Sequence, residues 1–363
     1  MAETGKSIRS TANSYRDVVR HYVMGNEDAN GNPTVTKKDI DQLTEKLNAM
    51  EEMMNIISKD AITDATDQDA FGNAFSNADV SVVKVAAGTY SAPAEAVTKS
   101  MMVNGAQQGV SAASGDRCTD ETAETETVIS GAMNFGEGAT AIVDGVTLTP
   151  NAPVTISGSA DLTMRNSRIV NREPDAAKSF IIKSTSFDNK IKLNISDMYF
   201  GNNPTNETGN VYNGLELQAT LQDGSVIENC YFAKDCLTHN HINIYGVEDG
   251  ATIYIRNNHF ECSKNAIRIG IVGEPTCTIV MEGNSYDETD SDPAWAGLLL
   301  IQPYNTQTTS FKNLTVIMNN TTHPDGGQLY YLYAQPTDMQ FTEDNLPTVI
   351  IDGVTQEELI ISS

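Results

Sequence analysis

Oxygen-bearing residues alternate through D-A-N-G-N-P-T-V-T-K-K-D, residues 28–39. Asp28, Asn30, Asn32, the Thr34 carbonyl, Thr36 and Asp39 stand at positions 1, 3, 5, 7, 9 and 12 of that stretch. Hard oxygen donors at this spacing can wrap a calcium ion. Two residues oppose that chemistry. Pro33 fills position six, where the loop needs a glycine turn, and its ring locks φ. Asp39 ends the loop where a longer, bidentate Glu is the usual ligand. The expectation is therefore a polar turn with no metal or other cofactor, and calcium is the rival reading.

Other candidates for chemistry are scattered. His239, His241 and His259 sit in strand-like phrases and read as ladder or surface side chains rather than bases. The acidic run D-E-T-D-S-D (287–292) lies within one loop, where solvation is the default. Trp295, Tyr304, Tyr331 and Tyr333 gather late in the chain, and exposed rings can stack on sugars, so these four are the glycan-contact candidates. Alternation through Y-Y-L-Y places Tyr331 and Tyr333 on one face and Tyr330 and Leu332 on the other, so about half should be core. Carboxylate pairs for glycoside hydrolysis come from distant parts of a chain, and spacing does not reveal them. No catalytic residue is assigned.

What positions these side chains is a repeated phrase. I-S-D-M-Y-F (195–200), I-E-N-C-Y-F (227–232) and I-R-N-N-H-F (255–260) share one frame, with Asn or Asp third. The frame recurs with third positions at Asp144, Asn166, Asp197, Asn229, Asn257, Gly283, Asn313 and Asp352. Asn, Asp and Gly enter the left-handed backbone region most cheaply. Each copy therefore reads as strand, left-handed corner, strand. Steps run from 22 residues (Asp144 to Asn166) to 39 (Asn313 to Asp352), which fits coils with variable loops. A second phrase, as in G-L-E-L (214–217) and A-I-R-I (266–269), adds another alternating strand per repeat. The expected fold is all-β, a parallel β-helix over residues 76–363, in which stacked corner Asn and Asp side chains could form a hydrogen-bonded ladder. An antiparallel sandwich would explain the turns but not the recurring frame.

Residues 1–75 read as a small α-helical module. T-K-K-D-I-D-Q-L-T-E-K-L-N-A-M-E-E-M-M-N-I-I (36–57) carries Ile40, Leu43, Leu47, Met50, Met54 and Ile57 at heptad a and d spacing, a seam for oligomerisation or attachment. Residues 58–78 read as linker. The 28–39 loop resembles the calcium loops of EF-hand and dockerin modules, and it is this resemblance that implies the six ligand positions and the calcium reading.

The totals bound the partners. The 363 residues carry 23 Lys+Arg against 48 Asp+Glu, a formal net charge of -25. Nucleic acid and anionic lipid are poor partners for such a surface. No apolar run is long enough to span a membrane, and M-A-E-T-G-K-S-I-R-S does not read as a secretory signal. Cys118, Cys230, Cys236, Cys262 and Cys277 form no C-x-x-C pair, so reduced, mostly buried thiols are expected.

V-V-K-V-A-A-G-T-Y-S (82–91), V-N-G-A-Q-Q-G-V (103–110) and E-T-V-I-S-G (126–131) resemble the opening coils of pectate-lyase-like right-handed β-helix proteins. The resemblance implies a right-handed helix, on a scaffold that hosts lyases, hydrolases, adhesins and phage fibres alike. The N-T-D, D-D, G-H-G and R-I-K motifs of its polygalacturonase-like members do not occur, and Arg256 and Arg268 face no spaced Asp cluster. The expectation is a bacteriophage virion structural protein: a head fibre, decoration or tail fibre/spike subunit. It would be made in the host cytoplasm, be homotrimeric, and attach to other virion proteins through residues 1–75. A polysaccharide lyase or glycosidase acting on surface glycans is the alternative, and a bacterial adhesin the third reading.

Overall fold

The computed structural model describes residues 62–170, 179–201, 213–233, 240–261, 265–287, 297–322, 328–335 and 337–362. The 28–39 loop and the 40–57 seam lie outside them, as do His239, Trp295, Cys236, Cys262 and residues 288–292. Thr63–Ser363 form one compact unit. It is mostly β, and its strands pair almost entirely in parallel. Among the described residues no helix is long and apolar enough to cross a membrane.

Three parallel ladders are visited in a fixed order. Ladder A stacks Val154–Ile156, Ser179–Ser184, Asn213–Leu221, Asn240–Val247, Asn265–Ile269, Gly297–Ile301, Gln328–Tyr333 and Ile361–Ser362. Ladder B begins at Val82–Val85 and Met101–Asn104 and ends at Leu314–Asn319 and Thr348–Ile351. Ladder C runs from Gly88–Ser91 to Ser285–Tyr286 in two- to four-residue strands. From residue 154 to residue 286 each turn of chain goes A, B, corner, C, and returns; from residue 297 on, the described residues continue ladders A and B alone. That order, with like pairing onto like, is compatible with a parallel β-helix.

Strand alternation builds the core. In Thr252–Arg256, Ile253 and Ile255 are buried while Thr252, Tyr254 and Arg256 are part-exposed. Register then puts like on like: Ile195, Ile227, Ile255, Met281 and Met318 form one inward column. Phe200, Phe232, Phe260 and Tyr286 form another on ladder C. No coil could bury such a column alone; the stack does.

Residues 62–76, expected to be linker, are ordered parts of this unit. β1 (Ile62–Ala65) adds to the first strand of ladder B, and α1 (Gln68–Ser76) follows. The Asp67 carboxylate accepts from the Ala70 N–H at 2.8 Å and caps α1. Phe71 and Ala74 are buried, with the Phe71 ring 5.2 Å from that of Tyr90. Composition suggested a linker because Asp and Ala dominate, yet two apolar residues one turn apart suffice to seat a short helix.

Left-handed φ falls at Asn166 (50°), Asp197 (55°), Asn229 (54°), Asn257 (54°), Gly283 (63°) and Asp352 (46°). Asn229 N–H donates to the Arg256 carbonyl at 3.1 Å, and Asn257 N–H to that of Glu282 at 2.8 Å, so each corner is tied to the next coil. Asp144 and Asn313 differ from expectation. Beside Asp144 the left-handed residue is Gly145 (φ 73°), and after Asn313 it is Asn320 (φ 48°). Register explains both shifts, since Asp144 pairs with Arg165 and Asn319 with Glu282, each one residue before the corner. Replacing Asn229 or Asn257 by Val should cost about 1–3 kcal/mol from backbone strain, and by Gly distinctly less. Chemical denaturation of the four variants checks this, and equal penalties for Val and Gly would contradict the corner geometry.

Candidate functional site

One pair of the expected corner ladder forms, Asn166 Nδ2 donating to Asp144 Oδ1 at 2.9 Å, but between later coils the ladder is built one position later than the sequence suggests. Asn258 and Asn284, fourth in their phrases, are each 1% exposed. Asn258 Oδ1 accepts from Cys230 N–H at 3.0 Å, Asn284 Oδ1 accepts from Asn258 N–H at 3.1 Å, and Asn284 Nδ2 donates to the Ile255 carbonyl at 2.7 Å. The third-position side chains of Asn229 and Asn257 point to solvent instead. A left-handed residue turns its own side chain out and the next one in, which is why the amides meet at position four.

Ladder A carries an outward row of Glu216, Asn243, Arg268, Leu300 and Tyr331. Beside it the Tyr245 and Tyr304 rings lie 4.2 Å apart, and the Arg268 guanidinium sits 5.6 Å over Tyr245. Arg268 also donates to the Pro303 carbonyl at 3.2 Å. Asn243 Oδ1 and Arg268 Nε are buried without a hydrogen-bond partner among the described residues. Burial raises the Tyr245 hydroxyl above the usual phenol range. Tyr245 and Asn243 are buried, so of this group only the part-exposed Tyr304 and Arg268 are open to a hydroxylated ring from outside.

Of the aromatic candidates, Tyr304 belongs to this patch and is part-exposed. Tyr331 shares its row but is buried, as are Tyr330 and Leu332, while Tyr333 is part-exposed. Tyr331 was expected on the outer face; its ring leans over Gly297, which has no side chain to hold it off. Tyr245 escaped notice because N-H-I-N-I-Y-G-V reads as core throughout, and only register shows which of its residues face out.

The outer row of ladder C is Thr147, Arg168, Tyr199, Tyr231, His259 and Ser285. Residues 105–126 cross its first half. Arg117 pairs with Glu126 (Nε to Oε1 2.7 Å), whose carboxylate also accepts from Thr147 Oγ1 at 2.9 Å and lies 3.9 Å from Arg168. Arg168, 1% exposed, donates to the Thr119 and Glu121 carbonyls, and burial pulls its pKa below the usual guanidinium value. Asp120 accepts from the Tyr199 hydroxyl at 3.1 Å. Ala112, Val170, Tyr199 and Ala233 close a small apolar cluster beneath the segment.

Beyond that segment the row is more open. Tyr231 donates to Glu261, and its ring lies 4.8 Å from that of His259. His259 links Ser285 Oγ (2.9 Å) and Asp287 (3.2 Å), whose side chain is 58% exposed. Tyr199, Tyr231 and His259 stack on one another along the row, so their faces are spent within the protein. His241 is fully buried between the Phe232 and Phe260 rings and bonds the Glu261 carbonyl at 2.9 Å.

Cys118, Cys230 and Cys277 are free thiols. Burial raises Cys118 to about 11 and Cys277 to about 12. Among the described residues no cluster of His, Cys, Asp and Glu could hold a metal ion.

No family model, curated protein or solved structure matches this chain. The functional reading therefore rests on its own residues.

Proposed function

We propose that this chain is a structural component of a bacteriophage particle, a head fibre, decoration or tail fibre/spike subunit. In this reading residues 76–363 form a non-catalytic shaft, a right-handed parallel β-helix of the pectate-lyase-like superfamily. Of residues 1–75, the part that precedes the β unit forms a helical module that trimerises and attaches the shaft to other virion proteins, while residues 62–75 belong to the shaft. The observation that supports it is the stacking of parallel ladders around one apolar core, two of them continuing to the end of the unit, which makes a stiff element whose length scales with coil number.

The test addresses the seam at Ile40, Leu43, Leu47, Met50, Met54 and Ile57. A helix of that length is marginal in water unless its apolar face is covered. Leu47→Glu with Met54→Glu should leave the circular dichroism and melting of the β unit intact and remove the chain from purified particles. Normal incorporation of that double variant would sink the attachment role.

A glycan-processing role is the alternative. The part-exposed Tyr304 ring beside Arg268 favours it. Turnover of a soluble surface polysaccharide by the purified chain would decide for it over a purely mechanical shaft.

A further inference from the structure

Ladder B presents an outer face unlike the other two. Register aligns Val226, Tyr254, Val280, Ile317 and Ile350 in one outward row over five successive rungs. All five are part-exposed, although the residues on either side of the first four, and Val349 beside Ile350, are buried. On one side runs a row of threonines, Thr252, Thr278, Thr315 and Thr348. On the other run Glu228, Arg256, Glu282 and Asn319, with Arg256 bonded to Glu228 at 2.6 Å. Two adjacent rows are thus free of charge for at least four rungs, on a chain whose formal net charge is -25. The corresponding rows of ladders A and C contain Glu216, Arg268, Arg168 and His259.

We propose that this face is where copies of the chain meet, three side by side with parallel axes. The proposal rests on the trimeric fibre reading and names the surface that reading needs. Charge selects the occupant. Two molecules this acidic repel one another across most of their surfaces and can approach closely only over an uncharged strip. A basic partner would be drawn to the acidic remainder instead.

Periodicity selects it too. Outward side chains recur every ~4.8 Å along a ladder, and another ladder of the same chain offers ridges at that same interval. Around a threefold axis the apolar row of each copy faces inward. The threonine row of one copy then lies against the Glu228, Arg256 and Glu282 row of the next, so hydroxyls donate to carboxylates. Such a head-to-tail contact closes after three copies and leaves no open edge for fibres to grow.

The test uses the full chain. Wild type should sediment as a trimer at micromolar concentration. Val280→Lys with Ile317→Lys should weaken association at least tenfold while circular dichroism stays unchanged. Gln218→Lys, on the outer face of ladder A, should leave the trimer intact. Val280→Cys places three thiols near the axis and should give oxidised, chain-linked species that wild type does not give.

If trimers persist in the double lysine variant and Val280→Cys does not cross-link, copies meet elsewhere. The surface is then overturned and the fibre reading stands. If the folded wild-type chain stays monomeric at all concentrations, both the surface and the trimeric reading fall.

Discussion

Replacing Glu126 by Ala should destabilise the folded chain by about 3–5 kcal/mol, the cost of stranding buried charges without their counter-ion. Glu126 is 3% exposed and holds three groups at once: Arg117, Thr147 and, at longer range, Arg168. Arg117 and Arg168 are 8% and 1% exposed, so neither guanidinium can turn to water when the carboxylate goes. Arg117 also donates to the Asn166 carbonyl at 2.8 Å, so the loss would spread to a corner. Urea unfolding of the variant measures the effect. Replacing Glu126, Arg117 and Arg168 together by apolar residues of similar volume should recover most of the loss, because no charge is then left buried. A penalty below ~1 kcal/mol for Glu126→Ala would mean that residues 105–126 do not seal this cluster from solvent.

Phe232→Ala should cost about 3–5 kcal/mol, the range for removing a fully buried aromatic side chain. Phe232 lies in the middle of a stack, 4.4 Å from Phe200 and 4.9 Å from Phe260, with His241 at 5.6 Å. Its neighbours are held by their own rungs, so the hole cannot collapse. Phe232→Leu should cost much less. A thermal melt of the two variants separates lost ring volume from a disturbed backbone, since only the former scales with residue size.

Much of the fold was legible because a β coil writes its geometry into short words. Asn229 and Asn257 announce their corners because few residues tolerate positive φ, and the flanking Ile and Phe mark which sides face inward. The frame slipped by one at Asp144, where both Asp and Gly suit a corner and only pairing with Arg165 decides between them. It slipped further at Asn313, whose phrase F-K-N-L-T-V mimics a corner just before a strand begins. The amide column of Asn258 and Asn284 was missed because an inward polar residue looks like a break in the pattern until the coils are stacked.

The outer faces were the least legible. Tyr245 and Tyr304 are 59 positions apart, 304 less 245, and meet only through the stacking of coils. Arg168 reads as a surface arginine in M-R-N-S-R-I. It is buried because residues 105–126 return across it, and nothing in local composition foretells that crossing.

That crossing imposes an order of events on a chain made from its N-terminus. Ala112 N–H donates to the Asp197 carbonyl, and Asp120 accepts from the Tyr199 hydroxyl. The first needs residue 197 and the second residue 199, which leaves the ribosome roughly 4–17 s after residue 112 at ~5–20 residues per second. Through that interval residues 105–126 are held only by the coils up to Arg168, and the part of the segment around Ala112 and Asp120 lacks its partners on ladder C. The early coils are thus completed late, by a latch that drops only once later ones are in place.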